Sequence, residues 1–466
     1  MVESASLPDG LLLTFYGDDF TGSSAVMEVL TFAGLPTVMF LAPPYREQLQ
    51  RFAGYRAVGI ASTARARSPA WMDANLPPAF AALDQLGAPV THYKVCSTLD
   101  SSPEIGSIGR AMDIGIPIFG KRAGAAAWQP VVIAAPGIGR YQAFGNLFAV
   151  HAGDGYRLDR HPVMRDHPAT PMDEADIRRH LAKQTSRTIG LVDFASMKGG
   201  SGRARFDREI DAGRTVVALD VIDDETLRWA GQLIWENRGA GIFAIGSQGI
   251  EYALVAYWRD AGLLPATAER SSIAAMDRII AASGSVSSVT AAQIEWAEAN
   301  GFDVIPLDAA AAIEPSGWQA AIAGAVGRGR ASLSAGRSPL IVTARGPADS
   351  AVLRMREAIG RANLDPATVS ARIGAGLGEA VAWLVGETGI RRAVICGGDT
   401  SGFAVTAMGI YALEALAPLA PGSPLCKAFA VAPGIDGLEI ALKGGQMGRA
   451  DFFGSVRAGR ATSEEK

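Results

Sequence analysis

The stretch Ile395-Cys396-Gly397-Gly398-Asp399-Thr400-Ser401-Gly402 decides how this chain is read. Arg391-Arg392-Ala393-Val394 leads into it as a short apolar strand, and Phe403–Leu413 after it reads as a helix. Strand, glycine pair and helix start form the geometry that binds phosphate. Glycine lets backbone N–H groups approach an anion, and the first helical turn adds free N–H groups and the positive end of the dipole. Thr400 and Ser401 can cap the helix and donate to phosphate oxygens. Asp399 is a carboxylate suited to holding Mg²⁺ or to orienting a water or hydroxyl. Taken alone, the stretch fits an ordinary capped strand–turn–helix equally well, because glycine loops are common.

A second stretch favours the ligand reading. Leu11–Tyr16 is an apolar strand, Gly17-Asp18-Asp19-Phe20-Thr21-Gly22 follows it, and a helix begins at Ser23. Paired acids at the C-terminal end of a strand stand where open α/β sheets hold their ligands. One acidic loop suits a polyol and the other a nucleotide.

A chain of 466 residues holds two or three domains with ample core. The formal net charge of −4 and the lack of a Lys/Arg cluster argue against a nucleic-acid partner. Cys96, Cys396 and Cys426 are too far apart for a zinc motif or a disulfide framework, so a reducing, cytoplasmic setting is expected. The five histidines show no metal-ligand spacing. No basic leader and no run long enough to span a bilayer is present.

From Leu11 to about Arg259, short β-rich runs alternate with helical stretches. Thr37–Ala42, Arg56–Ser62, Thr91–Ser97, Val131–Ala135, Thr188–Asp193, Thr215–Val221 and Gly241–Gly246 read as strands. Ser23–Ala33, Pro69–Leu86, Asp173–Gln184, Asp223–Asn237 and Gly249–Asp260 read as helices. The alternation predicts a doubly wound α/β domain with a mostly parallel sheet over residues 1–265. Ala261–Ser271 reads as a linker, and a second α/β domain covers residues 272–466. Its strands are expected at Ile279–Ala282, Phe302–Leu307, Leu340–Thr343 and Arg392–Ile395, with an antiparallel pair at Lys427–Ala432 and Leu438–Lys443 and a frayed tail at Thr462–Lys466.

Two glycine clusters carry no ligand. Gly115–Arg122 nearly fits a P-loop, but Arg122 stands where Ser or Thr should hold Mg²⁺, so it reads as a surface loop. Gly374, Gly376 and Gly378 read as a close helix contact. Other strand ends carry polar groups: Lys94, Ser97 and Thr98 suit a small carboxylate, and Arg140 and Ser247 follow two further strands. Each also fits a solvated strand end or a local cap, and together they point to a polar pocket. Ser283-Gly284-Ser285 is another strand-to-helix anion site, and Gly444-Gly445 a flexible lip.

In combination the chain resembles the four-carbon acid sugar kinase family, over nearly its whole length. The motifs that carry the resemblance are Gly17–Gly22, Ser97-Thr98-Leu99, Thr170-Pro171-Met172, Gly246-Ser247, Gly284-Ser285, Gly397–Gly402 and Lys443-Gly444-Gly445. It implies an ATP-dependent kinase acting on a terminal hydroxyl of a small sugar acid. It implies an N-terminal acid-sugar domain, a C-terminal ATP domain, and chemistry in the cleft between them. Asp18 and Asp19 would hold substrate hydroxyls; Ser285, Gly397, Gly398, Asp399, Thr400 and Gly445 would contact ATP. Asp19 is the candidate base, and Asp399 the Mg²⁺ and phosphate ligand. The family usually continues Ser-Thr-Leu into Arg-Gly-Asn and places Asp before the Ser; here Asp100-Ser101-Ser102 and Cys96 stand there. That exchange of charge should alter affinity for the acid, so the substrate need not be threonate or erythronate; a keto or branched acid such as the 3-oxo-isoapionate of some relatives is compatible, and the sequence leaves the choice open. The partners expected are a sugar acid and ATP, with no nucleic acid and no membrane; a homodimer is compatible with the sequence. The rival reading is a non-catalytic nucleotide or metabolite sensor on the same fold.

Overall fold

The computed structural model describes residues 6–266 and 273–460, save the side chain of Asp399. The expected linker thus lies partly outside the described residues, and the expected tail wholly outside. The chain divides into two compact units, Met1–Glu269 and Arg270–Lys466.

The first unit carries β1 (Leu13–Gly17), β2 (Thr37–Phe40), β3 (Ala57–Ala61), β4 (Val90–Lys94), β5 (Gln129–Val132), β6 (Arg140–Ala143), β7 (Asn146–His151), β8 (Asp154–Arg157), β9 (Ile189–Val192), β10 (Val216–Leu219) and β11 (Ile242–Gly246). The order β2-β3-β1-β4-β11-β5-β10-β9 is parallel throughout, and β6-β7-β8 form a separate antiparallel meander. Strands such as Leu13–Gly17 and Ile242–Gly246 are buried along their whole length, as expected for a sheet covered on both faces. The chain leaves β1 for β2 and β3 on one side and then crosses to β4 on the other. Such a reversal opens a crevice at the strand C-termini. Register places Gly17 beside Ala61 and Lys94, Lys94 beside Gly246, and Gly246 beside Val132, so the following loops leave from one edge. Behind that edge Tyr16, Phe80, Tyr93, Phe119 and Phe243 stack and cross edge-on, giving the strand ends a stiff apolar base.

The second unit carries β12 (Ile280–Ser283), β13 (Phe302–Pro306), β14 (Ser338–Val342), β15 (Arg392–Cys396), β16 (Ile410–Ala420), β17 (Ser423–Ala430) and β18 (Glu439–Lys443). Its order is β13-β14-β12-β15-β18-β17-β16, with β17 and β16 antiparallel to their neighbours. The chain again visits an outer strand and an inner one before crossing over the first. Ser283 pairs with Val342 and Cys396, and Cys396 with Lys443, so the loops after these strands share one edge. Ile279, Leu340, Val394, Ala441 and Phe453 are part of the core of this unit.

Three expectations are corrected. The helix expected over Phe403–Leu413 is instead Gly398–Ala407, ended by Gly409 at φ +70°, and residues 410–413 begin β16. The helix expected over Asp173–Gln184 is only Ile177–Ala182, because Asp176 caps it from within. Gly115–Phe119 is not a loop but the last part of the helix Ile108–Phe119, and the Arg122 guanidinium is tied to the carbonyls of Asp84, Ala88 and Ala240. The helix contact expected at Gly374 and Gly378 is present: a Cβ there would meet Phe403 or the Ala404 backbone. Among the described residues no helix is long and apolar enough to cross a membrane.

Candidate active site

In the first unit, Asp18 and Asp19 leave the end of β1. Gly17 lets the next helix fold back closely, since a Cβ there would fall 1.8 Å from Ser23 Oγ. Asp19 is the N-cap of that helix, and its Oδ1 accepts from the Gly22 N–H at 2.9 Å. Asp18 is only 1% exposed. Both are held by Arg65, from the loop after β3. Its Nη2 reaches Asp18 Oδ1 and Asp19 Oδ1, each at 2.7 Å, and its Nε reaches Asp18 Oδ2 at 3.3 Å. Burial pushes the Asp18 carboxyl up, with Asp19 adding to it and Arg65 opposing. Burial also works against the Arg65 charge, but Asp18, Cys96 and Asp19 outweigh it and hold the guanidinium well above its ordinary value. Asp19 Oδ2 has no partner among the described residues.

Lys94, at the end of β4, is buried, donates to the Val95 carbonyl at 2.6 Å, and lends its charge to Asp18. It therefore backs the acid pair from inside. Thr98 Oγ1 lies 3.1 Å from Cys96 Sγ, Ser97 is half-buried, and Leu99 holds a left-handed φ of +56°. Arg140 opens β6, and its Nη1 donates to the carbonyls of Ile138, Gly139 and Val150. Burial pulls its guanidinium down, countered only by Cys96, and no carboxylate among the described residues pairs with it. Ser247 is fully buried and its Oγ accepts from the Gly249 N–H at 2.9 Å, which leaves its own O–H as a donor.

Asp100 does not stand free at the pocket. Its Oδ1 accepts from the Thr170 hydroxyl and lies 3.8 Å from His167 Nδ1. Next to it, Ser101 Oγ meets His180 Nε2 at 3.0 Å. His180 is buried with its Nδ1 unpartnered, and burial pulls its pKa down to about 4. The unfolded chain, titrating near 6.5, takes up that proton first. Stability from neutral His180 is therefore full above about pH 6.5 and is lost as the pH falls towards 4, by about 3 kcal/mol. Urea unfolding midpoints across this range should fall less steeply in His180→Gln than in the unmodified chain. Parallel curves would show that His180 titrates normally in the fold.

In the second unit three loops meet at the ends of β12, β15 and β18. Gly397 adopts φ +123°, and a Cβ there would lie 2.7 Å from Thr400 Oγ1, so only glycine serves. Gly398 is exposed, with nothing within 4 Å of where its Cβ would sit. The Thr400 side chain lies against Gly284 in the neighbouring loop. The Ser401 Oγ and N–H both donate to the Gly397 carbonyl, at 2.7 and 2.9 Å. Ser285 accepts from Thr290 Oγ1 at 3.0 Å, and Gly445 receives Ser287 and Thr290 at its carbonyl, which ties Gly444-Gly445 to the helix Ser288–Ala299. The backbone of Asp399 lies in the first turn of its helix.

Sequence reasoning missed Arg65 and Thr290, and quoted Lys443 only as part of a motif, with no role of its own. Arg65 had a signal, since Ser62-Thr63-Ala64-Arg65 follows an apolar strand just as the nominated loops do. Thr290 had none, lying inside the helix it helps to anchor.

Residues 13–254 match the model of a sugar-binding N-terminal domain, and residues 280–453 that of a nucleotide-binding C-terminal domain. The chain is 48% identical to the 3-oxo-isoapionate kinase of Paraburkholderia graminis, over 97% of this chain and 95% of that one. It is 31% identical to the 3-oxo-tetronate kinase of Methylobacterium radiotolerans, over 95% and 98%. The crystal structure of a Haemophilus influenzae protein shares the fold at a TM-score of 0.73 and 22% identity, over 95% of this chain and 99% of that one. With both domain models matched in order and full-length relatives at this identity, the chain belongs to the four-carbon acid sugar kinase family.

Proposed function

We propose that the chain is a kinase that moves the terminal phosphoryl group of ATP to a hydroxyl of a small 3-oxo sugar acid, the class its relatives are named for. The observation that carries this reading is the charge arrangement of the first unit. Arg65 and Lys94 balance Asp18 and Asp19, while Arg140 is left as a cation with no acid partner among the described residues. A polyhydroxy carboxylate supplies the charge that Arg140 lacks and hydroxyls for the acid pair. Asp19 Oδ2 is the free oxygen positioned to take a hydroxyl proton.

Loops 284–287, 397–401 and 444–445 are read as the phosphate cradle, with N–H groups at Gly398–Thr400 in the first helical turn. Such transfer rests on positioning and on neutralising phosphate charge, with little covalent work for the protein. Mg²⁺ carried on ATP would supply part of that neutralisation, and Asp399 is the residue that would hold it. A single carboxylate fits, because Mg²⁺ keeps most of its ligands as water and phosphate oxygens. Cys96 and Cys396 are free thiols, which suits a reducing compartment, and the cytoplasm is the proposed location.

The test is ADP release and phosphorylated product with a panel of four- and five-carbon sugar acids, 3-oxo acids included. Turnover on a 3-oxo acid is expected. ATP binding without turnover on any acid would favour a sensor instead. In the same assay Arg140→Ala should raise KM for the acid about tenfold or more, since a charge-assisted hydrogen bond is worth roughly 1.5–3 kcal/mol. An unchanged KM would move the carboxylate site away from Arg140.

A further inference from the structure

Lys443 closes β18, directly before Gly444-Gly445, and its side chain is only 1% exposed. Its Nζ donates to Thr290 Oγ1 at 3.2 Å and to the Gly444 carbonyl at 3.0 Å, and it lies over the Phe452 ring at 5.8 Å. No carboxylate among the described residues pairs with it. Among the described residues the one ionisable group acting on it is Cys396, on the neighbouring strand, whose thiol burial pushes up to about 11 and so leaves neutral near pH 7. Among the described residues Lys443 is thus a buried cation without a counter-charge, and burial pulls its pKa down. Taking an ammonium out of water costs several kcal/mol when no anion answers it.

The hydrogen bonds leading away from Lys443 have a direction. An ammonium can only donate, so Thr290 Oγ1 accepts from Nζ and turns its own proton towards Ser285 Oγ, 3.0 Å away, or the Gly445 carbonyl at 3.1 Å. In the first of these branches Ser285 Oγ accepts, and among the described residues its own proton has no acceptor nearer than Ser287 Oγ, at 3.4 Å. Each bond in such a chain polarises the next. The end of the relay is a hydroxyl donor in the loop already read as a phosphate edge.

We infer that Lys443 is a positioning residue for the nucleotide: its buried charge is answered by the phosphates, and it acts on them through Thr290 and Ser285. This rests on the reading of the second unit as the ATP site and assigns within it the source of positive charge. A purely structural lysine would affect all ligands of the unit alike, whereas a phosphate-directed one discriminates by ligand charge.

Calorimetry with ATP, ADP and adenosine on the unmodified chain, Lys443→Met, Thr290→Val and Thr290→Ser reads this directly. Lys443→Met keeps the length and apolar contacts of the side chain and should weaken ATP and ADP about tenfold or more while leaving adenosine within about twofold. Thr290→Val, which breaks the relay with little change of shape, should do the same, and Thr290→Ser should restore ATP binding. ATP affinity unchanged in a folded Lys443→Met variant, or an equal loss for adenosine, would overturn the inference. Should Lys443→Met fail to fold, an indifferent Thr290→Val would overturn it alone. Absence of ATP binding by the unmodified chain would instead overturn the nucleotide reading beneath it.

Discussion

Asp19→Asn is expected to bind ATP as the unmodified chain does and to turn over roughly 10²–10⁴ times more slowly, the usual worth of a general base. The substitution isolates the proton step. Asn caps a helix about as well as Asp, so the bond from the Gly22 N–H persists. Arg65 keeps its contacts to both Asp18 oxygens, so the loop after β3 stays anchored. What is lost is the charged Oδ2, the oxygen left free to accept a proton. Asp18 cannot replace it, being buried with both oxygens engaged by Arg65. Steady-state ADP release gives kcat, and calorimetry gives the ATP affinity. A kcat within tenfold of the unmodified enzyme would reduce Asp19 to a helix cap and a clamp for Arg65.

Gly398→Val should weaken ATP binding by on the order of a hundredfold, about 3 kcal/mol, with the melting temperature nearly unchanged. Gly398 is exposed at the first position of its helix, and no protein atom lies within 4 Å of the space a Cβ would enter. Its φ is not in the left-handed region, so valine meets no backbone strain there. A branched side chain in that space would hold phosphate oxygens away from the N–H groups of the first turn. Gly397→Val would be a poor test, because φ +123° and the nearby Thr400 side chain would disturb the fold itself. Unchanged ATP affinity in a folded Gly398→Val protein would put the phosphates elsewhere.

Much of this protein follows from local sequence. The apolar runs ending in Gly17-Asp18-Asp19, Lys94, Gly246-Ser247, Ser283-Gly284 and Cys396-Gly397 form parallel strands, and their polar residues lie at the strand ends. Such signals need only a few neighbouring residues: a buried strand is continuously apolar, and the turn after it requires glycine or a cap. Residues 410–413, the expected end of a helix, went the other way together with the run up to 420. Rich in Ala and Leu, they favour a helix by propensity, and become β16 because β17 pairs with them along their length.

The roles of the polar side chains depended on tertiary structure in the same way. Ser247 and Ser401 look like ligand donors in sequence, and only the fold shows their local bonds: Ser247 Oγ accepts from the Gly249 N–H, and Ser401 Oγ donates to the Gly397 carbonyl. Asp100 stands in a candidate pocket motif, yet it is bound by Thr170, seventy positions away. Arg65 and Lys443 acquire meaning only when parallel pairing brings the end of β3 beside β1, and the end of β18 beside β15. A strand's place in the chain is written in its own residues, but its neighbour in the sheet is chosen by long-range packing. Which charge answers which is therefore decided only once the strand ends are in register.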